Sequence, residues 1–103
     1  MNQMIINIWG RKMDILKDCT YIKIERFISS NLGMNISAKE LFEEINNSPN
    51  PNIIIDFTDV FFMGRSFTQE YIYQKMKSDK NVYEENLPED VLKMYEVVKK
   101  DYE

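Results

Sequence analysis

The sequence predicts an α/β fold, a mixed sheet of about four to five strands with helices packed mainly on one face, and three observations carry that expectation. Ile53-Ile54-Ile55-Asp56-Phe57 is an apolar, β-branched run closed by an acid, the pattern of a strand covered on both faces. Segments beginning at Ser37 and at Ser66 place apolar residues at helical spacing on either side of that run. From Tyr21 onward, strand-type and helix-type segments alternate, which implies right-handed crossovers and parallel or mixed pairing.

In chain order, residues 4–9 alternate imperfectly and read as a first strand. Tyr21-Ile22-Lys23-Ile24-Glu25-Arg26-Phe27-Ile28 alternates well and reads as a second. Between them, Met13-Asp14-Ile15-Leu16-Lys17-Asp18 fits a turn of helix or a hairpin arm equally. Ser29-Ser30-Asn31-Leu32-Gly33 is a polar connection whose Asn and Gly suit a left-handed turn. The first long helix is expected to start at Ser37, since Glu40 three residues on completes a capping box. Ala38, Leu41, Phe42 and Ile45 form its apolar face, with Lys39, Glu43, Glu44 and Asn46 opposite. Pro49 and Pro51 end it, and a strand begins at Asn52 or Ile53.

Ser66 and Gln69 repeat the capping spacing, so Ser66 is expected at the N-cap of a second helix that buries Phe67, Tyr71, Ile72 and Met76. Phe61 and Phe62, just upstream, are expected in the core with Phe67. Val82-Tyr83-Glu84-Glu85 reads as a short edge strand. Asn86 with Glu89 offers a third cap and Pro88 suits a first turn. Val91, Met94, Tyr95, Val98 and Tyr102 trace one stripe of a closing helix.

Composition bounds the function. At 103 residues, 44% hydrophobic and 29% charged, the chain is expected to form a single domain, residues 1–103. No apolar stretch approaches the ~20 residues that cross a bilayer, the N-terminus lacks signal-peptide order, and Cys19 is the only cysteine. A cytoplasmic protein without a membrane partner is expected. The net charge of −4 disfavours nucleic acid, which calls for clustered Lys and Arg. Residues 1–36 carry +2 and the remainder −6.

The sequence has no histidine, which removes the commonest general base and transition-metal ligand together. One cysteine builds no zinc site, and three glycines (Gly10, Gly33, Gly64) supply neither a P-loop nor a dinucleotide fingerprint. No cofactor and no enzymatic activity are expected. Asp56 and Asp59 flank the end of the central strand, where paired carboxylates can take a divalent cation, but the third acid, Glu70, lies along the next helix. Turn and capping roles are expected for both aspartates. An enzyme built on Asp56, Asp59 and Glu70 is the outlying alternative.

Ser66, with Arg65 and Thr68, is the stronger constellation. A helix N-terminus presents free N–H groups and partial positive charge, so it accommodates a phosphate, whether bound or covalently attached. Arg65 would add charge-assisted hydrogen bonds, and simple capping by Ser66 is the plainer reading.

Across Asp56-Phe57, Val60 and Met63-Gly64-Arg65-Ser66-Phe67-Thr68-Gln69-Glu70, and again at Asn86-Leu87-Pro88-Glu89-Asp90-Val91, the chain resembles the STAS-like domain family of unknown function. The resemblance runs from about Tyr21 to Val98 and implies a STAS-like fold. More distantly it is similar to STAS domains of anti-sigma factor antagonists, where a partner kinase phosphorylates a serine at a helix start and so abolishes docking. Ser66 matches that neighbourhood, although Gly64-Arg65-Ser66-Phe67 stands in place of the usual Asp-Ser-Ser-Gly. The resemblance implies a non-enzymatic regulatory module that docks a protein partner, a kinase-type regulator, around Arg65, Ser66, Phe67, Thr68 and Asp59. The alternative is a module binding a nucleotide or other anion at the same helix start, through Arg65 and the N–H groups of Phe67 and Thr68.

Overall fold

The computed structural model describes residues 19–102. The expected first strand at residues 4–9 and the ambiguous segment 13–18 lie outside them. The described elements are β1 (Cys19–Lys23), α1 (Ile24–Phe27), β2 (Asn31–Leu32), α2 (Asn35–Asn47), β3 (Asn52–Asp56), β4 (Phe62–Met63), α3 (Arg65–Lys77), β5 (Asn81–Glu85) and α4 (Glu89–Lys100). The fold is mixed α/β, and its described strands pair in parallel. β3 is central between β1 and β5, and β2 pairs with β4 in a separate two-stranded ribbon. The antiparallel component that a mixed sheet requires is not among the described strands.

Register sorts the sheet into two faces. Ile22 lies opposite Ile55, itself opposite Glu84, and Ile53 lies opposite Val82. Side chains alternate along a strand, so these residues share one face. Ile22, Ile53, Ile55 and Val82 join one core cluster with Leu41, Phe42 and Ile45 of α2, Phe67, Tyr71 and Ile72 of α3, and Val91 and Val98 of α4. Each such large apolar side chain contributes roughly 1.5–3 kcal/mol on burial. Tyr71 is the hub: its ring centroid lies 5.3 Å from Phe42, 6.1 Å from Phe57, 6.0 Å from Phe67 and 6.2 Å from Tyr95.

Several expectations are corrected. The strand read through Ile28 stops at Lys23, because β3 ends at its partner Asp56 and no backbone remains to pair with; the chain turns, and Ile24 drops into the core. None of the three expected caps caps. α2 begins at Asn35, two residues before Ser37, and α3 at Arg65, with Met34 and Gly64 in the N-cap positions and no side-chain cap on either. Gly64 takes that place because its N–H bonds Leu32 O at 2.8 Å while its own carbonyl accepts the Thr68 N–H at 3.0 Å. Asn86 adopts a left-handed backbone (φ 56°) and donates to Asp56, so Pro88 precedes α4 as its N-cap.

Met76 is exposed rather than buried, as is Tyr102, whose hydroxyl donates to Gln69 O at 3.3 Å; the core under α3 ends one turn earlier, at Ile72. Val91, Met94, Tyr95 and Val98 do pack on the core as their spacing indicates. β5 forms, and lies at one end of the three described strands of its sheet.

A polar lock closes the carboxyl edge. Asp56, only 7% exposed, accepts Thr58 N–H at 2.9 Å and Thr58 Oγ1 at 2.6 Å, both on Oδ1. Asn86 Nδ2 donates to the same oxygen at 3.0 Å and Tyr21 OH to Oδ2 at 3.0 Å. Burial raises the Asp56 pKa, but the donors from Thr58, Asn86 and Tyr21 together outweigh it and hold the carboxyl at about 2. The expected turn role of Asp56 is thus a link among three strand ends.

Candidate functional site

The ribbon β2–β4 and the first turns of α2 and α3 meet beyond the carboxyl ends of β1 and β3, the edge where open α/β sheets place function. Ser66 is the second residue of α3, exposed, in its first turn. It borders a shallow depression of about 250 Å³ shared with Asn35, Gln69, Glu70, Tyr73 and Tyr102. In an α-helix the first amides lack an intrahelical acceptor, so with Gly64 as N-cap these are Arg65, Ser66 and Phe67. The Thr68 amide is already bonded to Gly64 O.

The expected contact residues separate. Phe67 and Thr68 are fully buried, and the Thr68 hydroxyl also donates to Gly64 O, at 2.7 Å. Neither side chain reaches a docking surface, and Thr68 offers no amide to an anion. The reason is geometric: once the helix starts at Arg65, positions 67 and 68 fall on its inner face beside Tyr71 and Ile72. Arg65 is exposed and pairs with Asp101 at 3.6 Å, a surface contact worth little. Asp59 stands apart from Ser66, lining a different depression of about 410 Å³ with Val60, Phe61, Pro88, Glu89 and Asp90. Its backbone is left-handed (φ 67°), a turn conformation that aspartate tolerates, and its carboxylate lies 3.4 Å from Lys23 Nζ. Glu70 accepts from Gln74 at 2.7 Å. Among the described residues, no three His, Cys, Asp or Glu side chains gather as metal ligands would.

Sequence reasoning placed Phe61 and Phe62 in the core, yet they are 80% and 50% exposed. β4 is two residues long and, among the described residues, pairs only with β2, so its outward side chains meet no described layer. The Phe62 ring instead lies across two glycines: a Cβ on Gly64 would sit 3.1 Å from its Cε2, and one on Gly33 3.8 Å. Met34 and Ile36, flanking Asn35 at the start of α2, are exposed as well. Four exposed apolar side chains therefore lie on the segment around β4 and at the start of α2. Gly64, two residues after the Phe61-Phe62 pair, was the one available hint.

A second cluster went unanticipated. Tyr71 OH donates to Glu84 Oε2 at 2.6 Å, and Lys75 Nζ lies 2.9 Å from both carboxylate oxygens and 3.2 Å from Tyr95 OH. Burial, then the Glu84 charge, raises the Tyr71 pKa well above its ordinary value. Burial lowers that of Lys75, but the Glu84 charge and hydrogen bond overcome it and leave it raised. Every polar atom faces a partner, and the cluster ties β5 to α3 and α4. No described helix is long and apolar enough to cross a membrane. Comparison with protein-family models, with curated proteins and with solved structures finds no match for this chain.

Proposed function

We propose that this chain is a non-enzymatic regulatory module of the anti-sigma factor antagonist kind, with a STAS-like domain, that docks a protein partner through the edge around Ser66. The carrying observation is an exposed hydroxyl in the first turn of α3, with exposed Phe61 and Phe62 on the segment leading into that helix and exposed Met34 and Ile36 at the start of α2. Isolated apolar residues on a surface need no explanation, but several together at the functional edge of an α/β sheet favour a docking role. Ser66 supplies the switch. A phosphoryl group on its Oγ would bring close to two negative charges beside the apolar surface, and Glu70 four residues on adds like-charge repulsion. Docked apolar groups would then face a charge they cannot solvate. Glu70 in the depression weighs against a free nucleotide or anion as the usual occupant.

The test is isolation of the protein from its native cell, with mass spectrometry for phosphate on Ser66 and for a stoichiometric protein partner. The reading expects a partner on the unphosphorylated form only. Equal recovery with both forms would remove Ser66 from the mechanism.

A further inference from the structure

We infer that the seam between α3 and α4 binds a small amphipathic carboxylate, of which a medium-chain fatty acid is the simplest form. Arg65 pairs with Asp101 and Lys75 bonds Tyr95, so the two helices run antiparallel. Apolar side chains continue along the seam past the end of the core: Met76 on α3 is 63% exposed, and Tyr102, just past the end of α4, 37%. A cavity of about 430 Å³ lies there, lined by Ile72, Lys75, Met76, Tyr95, Lys99 and Tyr102. Ordinary small-molecule sites span roughly 300–1,000 Å³. Ile72, Lys75 and Met76 stand at i, i+3 and i+4 of α3, and Tyr95 and Lys99 at i and i+4 of α4, so each set shares one helix face. Ile72, Met76 and the two tyrosine rings make the walls apolar.

The polar groups select the charge of the ligand. Two lysines and no acid line the cavity. The Lys75 ammonium is fully engaged, since it donates to both Glu84 carboxylate oxygens and to Tyr95 OH. Accepting that bond leaves the Tyr95 hydroxyl its own hydrogen, for which the described residues supply no acceptor. Lys99 is exposed, and its ammonium has no ion pair or hydrogen bond among the described residues. One unpaired positive charge and one hydroxyl donor beside apolar walls call for a monoanion with an apolar body. A carboxylate brings one charge and an oxygen for each donor. A phosphate would bring close to two charges against a single free ammonium, an alcohol would leave that ammonium unused, and an alkyl ammonium would be repelled by it.

Sodium octanoate, kept below micelle formation, is titrated into the isotope-labelled full chain with amide chemical shifts as the readout. Saturable shifts centred on Ile72, Met76, Tyr95 and Lys99 are expected. From hexanoate to decanoate, each added methylene should tighten binding by up to about 4-fold. Octanol, which lacks the charge, should bind about 5-fold more weakly than octanoate, and octylammonium more weakly still. Lys99→Gln, at an exposed position, should weaken octanoate by about 2- to 5-fold and leave octanol unchanged. Five results would each overturn the assignment: no saturable shift, shifts centred elsewhere, equal affinity for octanol and octanoate, undiminished octanoate binding in folded Lys99→Gln, or shifts at the same residues on raising protein concentration alone, which would make a second copy the occupant. The ligand series is read in the unmodified protein, so failure of the variant to fold leaves that arm decisive.

Discussion

Asp56→Asn tests the polar lock quantitatively. The substitution keeps Oδ1, which accepts from Thr58 and Asn86, and removes only the charge, since the Tyr21 hydroxyl can reorient toward the new amide. In the folded protein the carboxyl titrates at about 2 against an ordinary 3.8. That difference, at ~1.4 kcal/mol per unit, makes the ionised form worth about 2 kcal/mol to folding. Because the folded pKa is depressed, the contribution is fully present above pH 4 and is lost as the pH falls from about 4 toward 2. Urea unfolding of wild type and variant, at a series of pH values with matched m-values, reads it directly. The expected gap is about 2 kcal/mol at pH 7, narrowing steadily below pH 4. A gap under about 0.5 kcal/mol at pH 7, within ordinary surface-substitution scatter, or one that does not narrow in acid, would refute the reasoning.

Other outcomes follow from the same contacts. Lys75→Met strands the Glu84 carboxylate, whose side chain is 12% exposed, with the Tyr71 hydroxyl alone, and should cost about 2–3 kcal/mol in chemical denaturation. Adding Glu84→Gln should recover part of that loss. Met34→Asp places a capping acceptor at an exposed N-cap of extended backbone (φ −111°, ψ 132°) and should raise stability by about 1 kcal/mol, seen as a higher melting temperature. Ser66→Asp puts an acid in the first turn of α3, where it should leave stability unchanged or raise it by about 0.5 kcal/mol. Any loss of partner binding in that variant is then not a folding defect.

The sequence carried the layers of the fold better than its junctions. Ile53 and Ile55 of the continuous apolar run, the α2 face from Ala38 to Ile45 and the Val91-to-Val98 stripe were legible because burial leaves its pattern in the chain, and each packs on the core accordingly. The starts of the helices were not. Capping-box spacing is satisfied by residue type alone, whereas the actual starts depend on a backbone bond from Gly64 to Leu32, 32 residues away in sequence, and on Asn86 being drawn to Asp56. The site inherited that error. Ser66 remained exposed near the helix start, but with the N-cap two residues earlier than expected the Thr68 amide is taken up by Gly64 O, and its side chain is buried beside Phe67. Phe61 and Phe62 were misjudged for the complementary reason: aromatic content signals burial only where a second layer exists to receive it, and the described residues supply none at the rim of the β2–β4 ribbon.

The docking surface is tested most directly with the partner recovered from the native cell, titrated calorimetrically against wild type, Ser66→Ala, Ser66→Asp and Phe61→Ser/Phe62→Ser, all verified as folded. Affinity should persist in Ser66→Ala and fall at least ~10-fold in both Ser66→Asp and the double variant, a loss of about 1.4 kcal/mol or more. Four indistinguishable binding constants would contradict the assignment of this edge as the interface.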